Sequence, residues 1–393
     1  MSLTELWLHS RNQLDGKQVQ QIIAFAGEGK LRDGNVASQE FRDFLSHIPS
    51  SLLGQYVDQC LNDSFPDSGL VLQDIVNQIG HRLGFSVTDG RYRGSTGQVG
   101  YDGTWRFPDG HTVIVEVKTT DAYQIDLDKI AKYRRDMISQ GIITEENSSI
   151  LIVIGRQDRD TAGLEAQIRG SRHAWNFRLI SVDALLRLMS LKESVEDPKI
   201  ILRISAILIP REFTKLDEII DIVFFTAEDV KQEEPVEGEI YTDESDAELS
   251  VKPVSFYDAC IERIERQLKK SLVKRSRTTY SSPDDSVRVI CTISKAHERG
   301  DQTTYWFAFH PVQKDFLEQT AGSSFVAFGC GSEQMIVFIP FLEFVDWLDQ
   351  MNTTRDEQRH YWHVTIVYDR DNLTLHRKRG TARINLNKYL VKA

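Results

Sequence analysis

Hydrophobic residues recur at helical spacing in one early segment of the chain and alternate in the next. The helical set ends at Gly84 and comprises Leu70, Leu72, Ile75, Val76, Ile79 and Leu83. This set predicts one helix, because apolar residues three and four positions apart lie on the same side of a helix. Farther along, Val113, Val115 and Val117 alternate with other residues, which predicts a strand with one face in a core.

The elements around this strand alternate in type. A strand is predicted to start at Phe85, followed by the glycine-rich loop RYRGSTGQVG; buried strands follow at residues 149–154 and 179–182. Helices are predicted near residues 127–134, 162–175 and 183–189. This order predicts an α/β fold in residues 66–226, with a mixed central sheet flanked by helices.

The remainder of the chain divides into three further regions. Residues 1–65 predict a helical region, with amphipathic segments at 18–25, 41–45 and 52–61, that packs on the core or on a second subunit. Residues 227–250 predict a disordered linker, since residues 228–250 hold ten Asp and Glu but one Lys. Residues 251–393 predict an α+β domain for recognition of a substrate or partner, with a first helix at 256–272.

Charge and aromatic residues change the interpretation of that last domain. The whole chain carries a net charge of −11, yet residues 251–393 hold 21 Lys and Arg against 17 Asp and Glu. Five aromatic residues lie among its basic runs: Tyr280, Tyr305, Trp306, Tyr361 and Trp362. Two alternatives stay open, namely base stacking with phosphate contacts, or core aromatics beside a solubilising charged face.

The candidate chemistry lies on a predicted hairpin. Pro108-Asp109-Gly110 is typical of a three-residue hairpin loop with glycine in the bulge position. If Phe107 faces His111, the register places Asp102 across from Glu116, on the same face of the sheet. Lys118 lies two residues after Glu116 and therefore shares that face.

Two carboxylates and an ammonium on one face predict a divalent metal site. Mg²⁺ takes oxygen ligands, and Asp102, Glu116 and the carbonyl of Val117 supply them. A metal ion there would activate water and neutralise charge on a phosphate, with Lys118 orienting the water or stabilising the transition state. The alternative is an ordinary solvated strand face. Asp109 would lie about 20 Å from Glu116, at the hairpin tip, and we interpret it as a turn residue.

Asp102 and the Glu116-Val117-Lys118 triplet, between two helices, resemble the active site of the PD-(D/E)XK nuclease superfamily. The resemblance covers residues 66–190 and implies a restriction-endonuclease-like fold, a metal-dependent endonuclease and Mg²⁺ or Mn²⁺ as the cofactor. Many members carry a Glu on the first helix that reaches the metal. Here Gln73, with Asp74 beside it, holds that position, and surface polarity of the helix is an equal alternative.

The resemblance also implies a basic groove for DNA. The candidate residues follow the third and fourth strands: Arg134, Arg135, Gln167, Arg169 and Arg172. A homodimer is plausible, because two active sites cut two strands most simply. We expect a DNA endonuclease of restriction or phage defence, with repair or transposition as another role. The competing hypothesis is a non-cleaving nucleic-acid-binding or assembly protein that keeps the fold.

Several function classes are disfavoured. No apolar run approaches the ~20 residues that span a membrane, and we expect no signal peptide at the N-terminus. The four cysteines are too scattered for a zinc site and indicate a reducing cytoplasm. The segment GSTGQVG lacks the Gly-Lys-Ser/Thr of an ATP-binding loop, so we expect no nucleotide cofactor.

Overall fold

Contacts divide the chain into two units, Met1–Gly238 and Glu239–Ala393. The computed structural model describes residues 2–63, 65–93, 100–120, 125–156, 162–195, 199–210, 256–299, 302–319, 323–355, 360–370 and 372–391. The predicted acidic linker, residues 227–250, lies outside the described residues, as do residues 94–99 of the glycine-rich loop. Each unit has buried apolar cores of its own.

Four helices begin the first unit: α1 (Leu3–His9), α2 (Val19–Phe25), α3 (Val36–His47) and α4 (Ser50–Asn62). Ser2 and Glu5 form a capping box on α1, and the Asn35 side chain accepts from the first turn of α3. Buried residues of all four helices share one core with the next helix, α5 (Ser68–Leu83), and with one face of a sheet. The helical region therefore packs on the sheet domain.

A buried arginine connects α5 to this helical region. The Arg82 guanidinium donates to the carbonyls of Leu45, at 3.1 Å, and Ile48, near the C-terminus of α3. It also donates to Ser50 Oγ at 2.8 Å, in the first turn of α4. These carbonyls would otherwise be buried without donors, which costs free energy.

The first unit contains a five-stranded mixed sheet: β1 (Ser86–Asp89), β2 (Gly103–Arg106), β3 (Thr112–Thr120), β4 (Ser148–Arg156) and β5 (Phe177–Ser181). The strands lie in sequence order; β1, β2 and β3 pair antiparallel, while β3, β4 and β5 pair parallel. The later helices are α6 (Leu127–Ser139), α7 (Ala162–Arg169), α8 (Val182–Ser194) and α9 (Ile200–Leu208). The predicted mixed α/β architecture is confirmed.

The two faces of β3 enter different cores, as the alternation predicts. Val113, Val115 and Val117 belong to the core shared with α5 and α8. Ile114 belongs to a second core, which contains Ile130 of α6. Glu116 and Lys118 follow Ile114 at two-residue intervals and thus lie on the α6 side of the sheet.

The second unit contains three helices in its described part, α10 (Phe256–Leu268), α11 (Pro311–Glu318) and α12 (Phe341–Val345). One sheet comprises β6 (Val273–Lys274), β7 (Thr279–Ser281), β8 (Val287–Ser294), β11 (Ser323–Cys330) and β12 (Ile336–Pro340). A second comprises β9 (His297–Arg299), β10 (Gln302–Phe309), β13 (Thr353–Arg355), β14 (His360–Asp369), β15 (Asn372–His376) and β16 (Ile384–Asn385).

Strand order runs β12-β11-β8-β7-β6 in the first of these sheets and β16-β15-β14-β10-β9 in the second, with β13 beside β14. The four cysteines are free thiols and all are buried. Among the helices of the described residues, none is long and apolar enough to cross a membrane.

Candidate active site

The hairpin between β2 and β3 adopts the predicted register. Gly103 pairs with Val115, and the N–H of Phe107 donates to the carbonyl of His111 at 2.8 Å. Gly110 adopts a φ of +88°, a left-handed conformation that glycine tolerates best. The Asp109 carboxylate accepts from the N–H of His111 at 2.9 Å, so Asp109 acts in the turn, as predicted.

Asp102 lies directly before β2, and Glu116 lies within β3. The N–H of Asp102 donates to the carbonyl of Val115 at 3.1 Å, although Gly103 is the residue that pairs with Val115, so Asp102 lies one residue out of the predicted register. The N–H of Val117 donates to Asp102 Oδ2 at 2.7 Å. This bond fixes the Asp102 carboxylate against the backbone of β3, next to Glu116.

Lys118 contacts Glu116 directly. Its Nζ donates to Glu116 Oε1 at 2.5 Å, and the Glu116 side chain is 90% buried, with a relative exposure of 10%. Within the part of the chain that the structure describes, Glu116 Oε2 is buried and has no hydrogen-bond partner. An ordinary solvated strand face does not bury a carboxylate in this way, so that alternative is wrong.

The electrostatics of the site disfavour two adjacent negative charges. Burial and, to a smaller extent, the Glu116 carboxylate together raise the pKa of Asp102 to about 7, against the hydrogen bond from the N–H of Val117, which lowers it. Burial alone would lower the pKa of Lys118, but the Glu116 and Asp102 carboxylates outweigh it and the pKa is raised. Lys118 is therefore a cation, and a second cation near Asp102 would stabilise its ionised form.

Two amides on α5 hold the backbone of Asp102. Gln73 Nε2 and Asn77 Nδ2 each donate to the carbonyl of Asp102, both at 3.0 Å. Asn77 Oδ1 in turn accepts from Trp105 Nε1 at 3.2 Å. A Cβ at Gly103 would lie 2.2 Å from Asn77 Oδ1, so this arrangement requires glycine there. We call these two side chains, Gln73 and Asn77, the amide clamp.

Asn77 was not predicted from the sequence. It lies four residues after Gln73, and residues at that spacing lie on the same side of a helix. A second amide one turn after Gln73 was the available signal. The structure brings Gln73 to Asp102, but through the Asp102 carbonyl.

Asp74 lies in a different network. One of its oxygens accepts from Arg42 Nε at 2.9 Å, and the other accepts from the Tyr92 hydroxyl. Arg42 also pairs with Asp89 at 3.4 Å. The structure therefore does not bring Asp74 to Asp102 and Glu116. Gln73 and Asp74 are 3% and 2% exposed, so the helix-surface interpretation of both is wrong.

The predicted DNA contacts have different environments. Arg134 is only 5% exposed and donates to Ser148 Oγ at 2.9 Å and to the carbonyl of Glu145 at 2.5 Å. Its prediction as a groove residue is corrected, because its donors join α6 to the start of β4. Arg135 is exposed on the same helix.

The other three predicted contacts follow β4. Gln167 donates to the carbonyl of Ile125 at 2.7 Å. Arg169 pairs with Glu165, and Arg172 pairs with Asp128 at 2.7 Å. The two arginines are exposed, and exposed ion pairs contribute little to stability. These pairs do not test a contact with DNA, so both arginines stay predictions.

A cavity of about 210 Å³ lies elsewhere, beside the hairpin tip. Its lining includes Asp109, Glu145, Glu146 and the exposed Trp175. Three carboxylates there repel phosphate, which separates this cavity from the candidate site around Glu116.

The residues at the candidate site fit a divalent cation through two carboxylates and one backbone carbonyl. They form no larger set, since among the described residues no group of three or more His, Cys, Asp and Glu side chains could hold a metal ion. The oxygens at this place are the carboxylates of Asp102 and Glu116 and the carbonyl of Val117, and Mg²⁺ commonly binds proteins through one or two carboxylates. No known family model matches the sequence, and no curated protein matches it.

Proposed function

We propose that this chain is a metal-dependent endonuclease that hydrolyses DNA phosphodiester bonds. The first unit would then be a PD-(D/E)XK nuclease domain with the restriction-endonuclease-like fold. Two features support that fold: an antiparallel hairpin that joins a parallel pair in one mixed sheet, and α5 and α6 on opposite faces of β3. The catalytic residues would be Asp102, Glu116 and Lys118.

The single observation that carries the proposal is the unpartnered oxygen of Glu116 beside Asp102. A buried carboxylate oxygen without a donor costs several kcal/mol or more in folded proteins, on the order of 1–3 for a neutral group. Such groups persist where they have a function. A hard divalent cation would satisfy Glu116 Oε2 and the Asp102 carboxylate together.

A bound Mg²⁺ or Mn²⁺ would supply Lewis-acid activation of water and charge neutralisation at the phosphate. Asp102 and Glu116, with the Val117 carbonyl, would hold it. Lys118 would donate to the phosphate or to the attacking water. In the reaction, the water oxygen bonds to phosphorus as the bond to the leaving sugar oxygen breaks, and the water proton ends on that oxygen.

A specific observation favours the second candidate function, a non-cleaving nucleic-acid-binding or assembly protein. Lys118 Nζ neutralises Glu116 by itself at 2.5 Å, so the pair is partly satisfied without a metal. In addition, α5 carries the amide Gln73 at the position where many members of the PD-(D/E)XK superfamily carry a carboxylate. Loss of the chemistry with retention of the fold would give the same geometry.

Biological roles follow only as extensions of the proposal. A role in restriction or phage defence fits a catalytic unit joined to a separate unit, and repair or transposition uses the same chemistry. A homodimer would place two active sites on the two strands of a duplex.

Cleavage of plasmid and phage DNA, with and without methylation, tests the proposal in Mg²⁺ and in Mn²⁺. We expect cutting by the wild type and loss of cutting in Asp102→Asn and Lys118→Met. Asp102→Asn keeps an acceptor for the N–H of Val117, so the hairpin should still fold.

The matched control is Asp109→Asn. Asp109 is a carboxylate on the same hairpin, and its turn position also accommodates asparagine. It should cut as the wild type does. Wild-type protein that binds DNA but cuts none of these substrates would favour the non-cleaving alternative. Equal loss in Asp109→Asn would remove the assignment to Asp102.

A further inference from the structure

The six-stranded sheet of the second unit has one face in a core and one face open. Along β10, Tyr305, Phe307 and Phe309 are buried, whereas Trp306 between them is 41% exposed. Side chains alternate along a strand, so the large aromatic residue on the open face is separate from the core aromatics. The two alternatives for the aromatic residues of this domain therefore apply to different residues.

Trp306 is held in place by its neighbours on β14. Its Nε1 is 3.2 Å from His363 Nδ1, and His363 Nε2 is 2.7 Å from the hydroxyl of Thr354. The ring of Tyr361 packs edge-on at a centroid distance of 6.0 Å from Trp306. An indole that is fixed at its edge can stack on a planar ligand without losing much side-chain entropy.

Two neighbours of the indole on this face are small. Trp306 pairs with Thr365 on β14, and Ala308 follows Trp306 on the same face of β10. The rings of His363 and Tyr361 pack edge-on, at centroid distances of 5.7 and 6.0 Å, and Trp306 stays 41% exposed. We call the set Trp306, Ala308, Tyr361, His363 and Thr365 the open aromatic face.

Positive charge lies at one side of the open aromatic face. Thr365 pairs with His376 of β15. Leu375 pairs with Ile384 of β16, and the next pair in this register would be His376 with Arg383. Burial and the nearby Arg383 guanidinium lower the pKa of His376, which agrees with that placement. From Trp306 to Arg383 is three strand spacings, or about 14 Å.

This side of the sheet lacks compensating acids. Residues 372–391 contain five Lys and Arg and no Asp or Glu. Arg379 and Arg383 are exposed, and in the described residues neither guanidinium pairs with a carboxylate. A flat face with a fixed aromatic ring and unpaired cations nearby complements bases joined to phosphates.

We propose that the open aromatic face binds single-stranded DNA, with a base stacked on Trp306 and backbone phosphates on Arg379 and Arg383. A flat sheet cannot reach bases that are stacked inside a duplex, whereas unpaired bases expose their faces. The choice of DNA rests on the proposed function of the first unit. The binding itself requires neither a metal nor the carboxylate site.

Fluorescence anisotropy of the full chain with a labelled oligothymidylate of about 20 nucleotides tests this inference. The buffer contains EDTA, so no strand can be cut by a metal-dependent site. Trp306→Ala should weaken binding between about fivefold and about 150-fold, the usual effect of removing one stacking ring. Trp306→Phe keeps a ring and should recover most of the affinity.

Trp175→Ala is the matched control, because Trp175 is a 71% exposed tryptophan in the first unit. It should change the affinity by no more than about twofold. Asp109→Asn, a change in the hairpin turn outside the candidate site, should bind as the wild type does. Because binding is measured in EDTA, a failed nuclease assay leaves this inference intact.

The salt dependence separates stacking from phosphate contacts. Arg379→Ala combined with Arg383→Ala should reduce the slope of log affinity against log salt by about 1.4, the value for two phosphates on a single strand. Arg370→Ala, an exposed cation at the β14–β15 turn, should leave the slope unchanged. Trp306→Phe should also leave it unchanged.

Four results would overturn the inference. They are no binding of the oligothymidylate by the wild type, unchanged binding by Trp306→Ala, an equal loss in Trp175→Ala, and tighter binding of oligouridylate than of oligothymidylate. If Trp306→Ala unfolds, Trp306→Phe and the double arginine variant replace it. The slopes of log affinity against log salt of these two variants then decide the question.

Discussion

Two buried carboxylate clusters lie in the same unit and differ in whether their hydrogen bonds are complete. Asp74 and Asp102 are both buried, and burial raises the pKa of each to about 7. Both oxygens of Asp74 have donors, from Arg42 and Tyr92. Asp102 instead adjoins Glu116, whose Oε2 has no partner among the described residues.

The comparison shows that burial and a raised pKa do not by themselves indicate a functional carboxylate. The Asp74 cluster is closed: Arg42 provides a charge and Tyr92 a hydroxyl, and its partners lie on α3 and after β1. The Asp102 cluster is open, since one ligand-type oxygen remains unsatisfied. An incomplete set of partners requires an explanation, and the proposed cation would supply one.

The largest expected effect is on catalysis, with glutamine and asparagine as isosteric replacements in the two clusters. Glu116→Gln should reduce DNA cleavage by about 10³-fold, equivalent to about 4 kcal/mol of transition-state stabilisation, because one charged metal ligand is lost. Asp74→Asn should leave the rate per folded molecule within about threefold. Single-turnover cleavage at saturating Mg²⁺ measures the rates of the two variants. Similar losses in Glu116→Gln and Asp74→Asn would contradict the division into open and closed clusters.

The next effect is on stability and concerns the Asp74 cluster. Arg42→Ala should lower the free energy of unfolding by about 3 kcal/mol, because it leaves the buried Asp74 without its charged partner. Arg135→Ala, an exposed arginine on α6, should change it by less than about 0.5 kcal/mol. Urea unfolding gives both values, and a loss in Arg42→Ala as small as that in Arg135→Ala would mean that the Asp74 cluster is not closed by its ion pair.

The open cluster was the more predictable of the two from the sequence. Phe107-Pro108-Asp109-Gly110-His111 determines the hairpin loop, and the loop determines which residues of β2 and β3 face each other. Counting from the loop therefore brings Asp102 close to Glu116, although Asp102 itself lies one residue out of that register. The Asp74 cluster joins α3, α5 and the segment after β1, and local patterns do not specify contacts between such distant segments.

Residues whose role depends on tertiary contacts were missed or misassigned. From the sequence, Arg134 is expected to be an exposed arginine on a helix. It is buried instead, because its guanidinium donates hydrogen bonds to Ser148 Oγ and to the carbonyl of Glu145. The α9 helix, IILRISAIL, is apolar on most sides and lacks the alternation of apolar and polar residues that predicts an amphipathic helix. By contrast, α11 had an available signal, since Pro311 occupies its first turn.

The amide clamp gives a smaller effect that sharpens the comparison. Asn77→Ala should cost about 2 kcal/mol of stability, because the buried Trp105 Nε1 and one bond to the Asp102 carbonyl lose their partner. Gly103→Ala should also destabilise, since its Cβ would meet Asn77 Oδ1 at 2.2 Å.

The double variant tests whether the two effects share a cause. Asn77→Ala removes the atom that Gly103→Ala meets, so the combined loss should be smaller than the sum by about 1 kcal/mol or more. Thermal unfolding of the two single variants and the double variant measures the coupling. Additive losses would show that Asn77 does not determine the need for glycine at position 103.

The last effect is on the pH dependence of stability, and there a metal distinguishes the clusters. Asp74 and Asp102 hold their protons more tightly in the folded than in the unfolded protein. Their stabilisation is complete below the ordinary aspartate pKa of about 4 and is lost as the pH rises through about 7. The free energy of unfolding should therefore fall between about pH 4 and about pH 7. Asp74→Asn and Asp102→Asn should each flatten that fall, by up to about 4 kcal/mol for a pKa that rises from about 4 to about 7.

Addition of Mg²⁺ should cancel only the share that belongs to Asp102, because a cation favours the ionised form of a carboxylate that it contacts. In Asp102→Asn, the metal should leave the remaining pH dependence unchanged, whereas in Asp74→Asn it should remove most of it. Urea unfolding at several pH values, with Mg²⁺ or with EDTA, measures these shares. If Mg²⁺ had the same effect in both variants, the Asp102 cluster would be no more open to a cation than the Asp74 cluster.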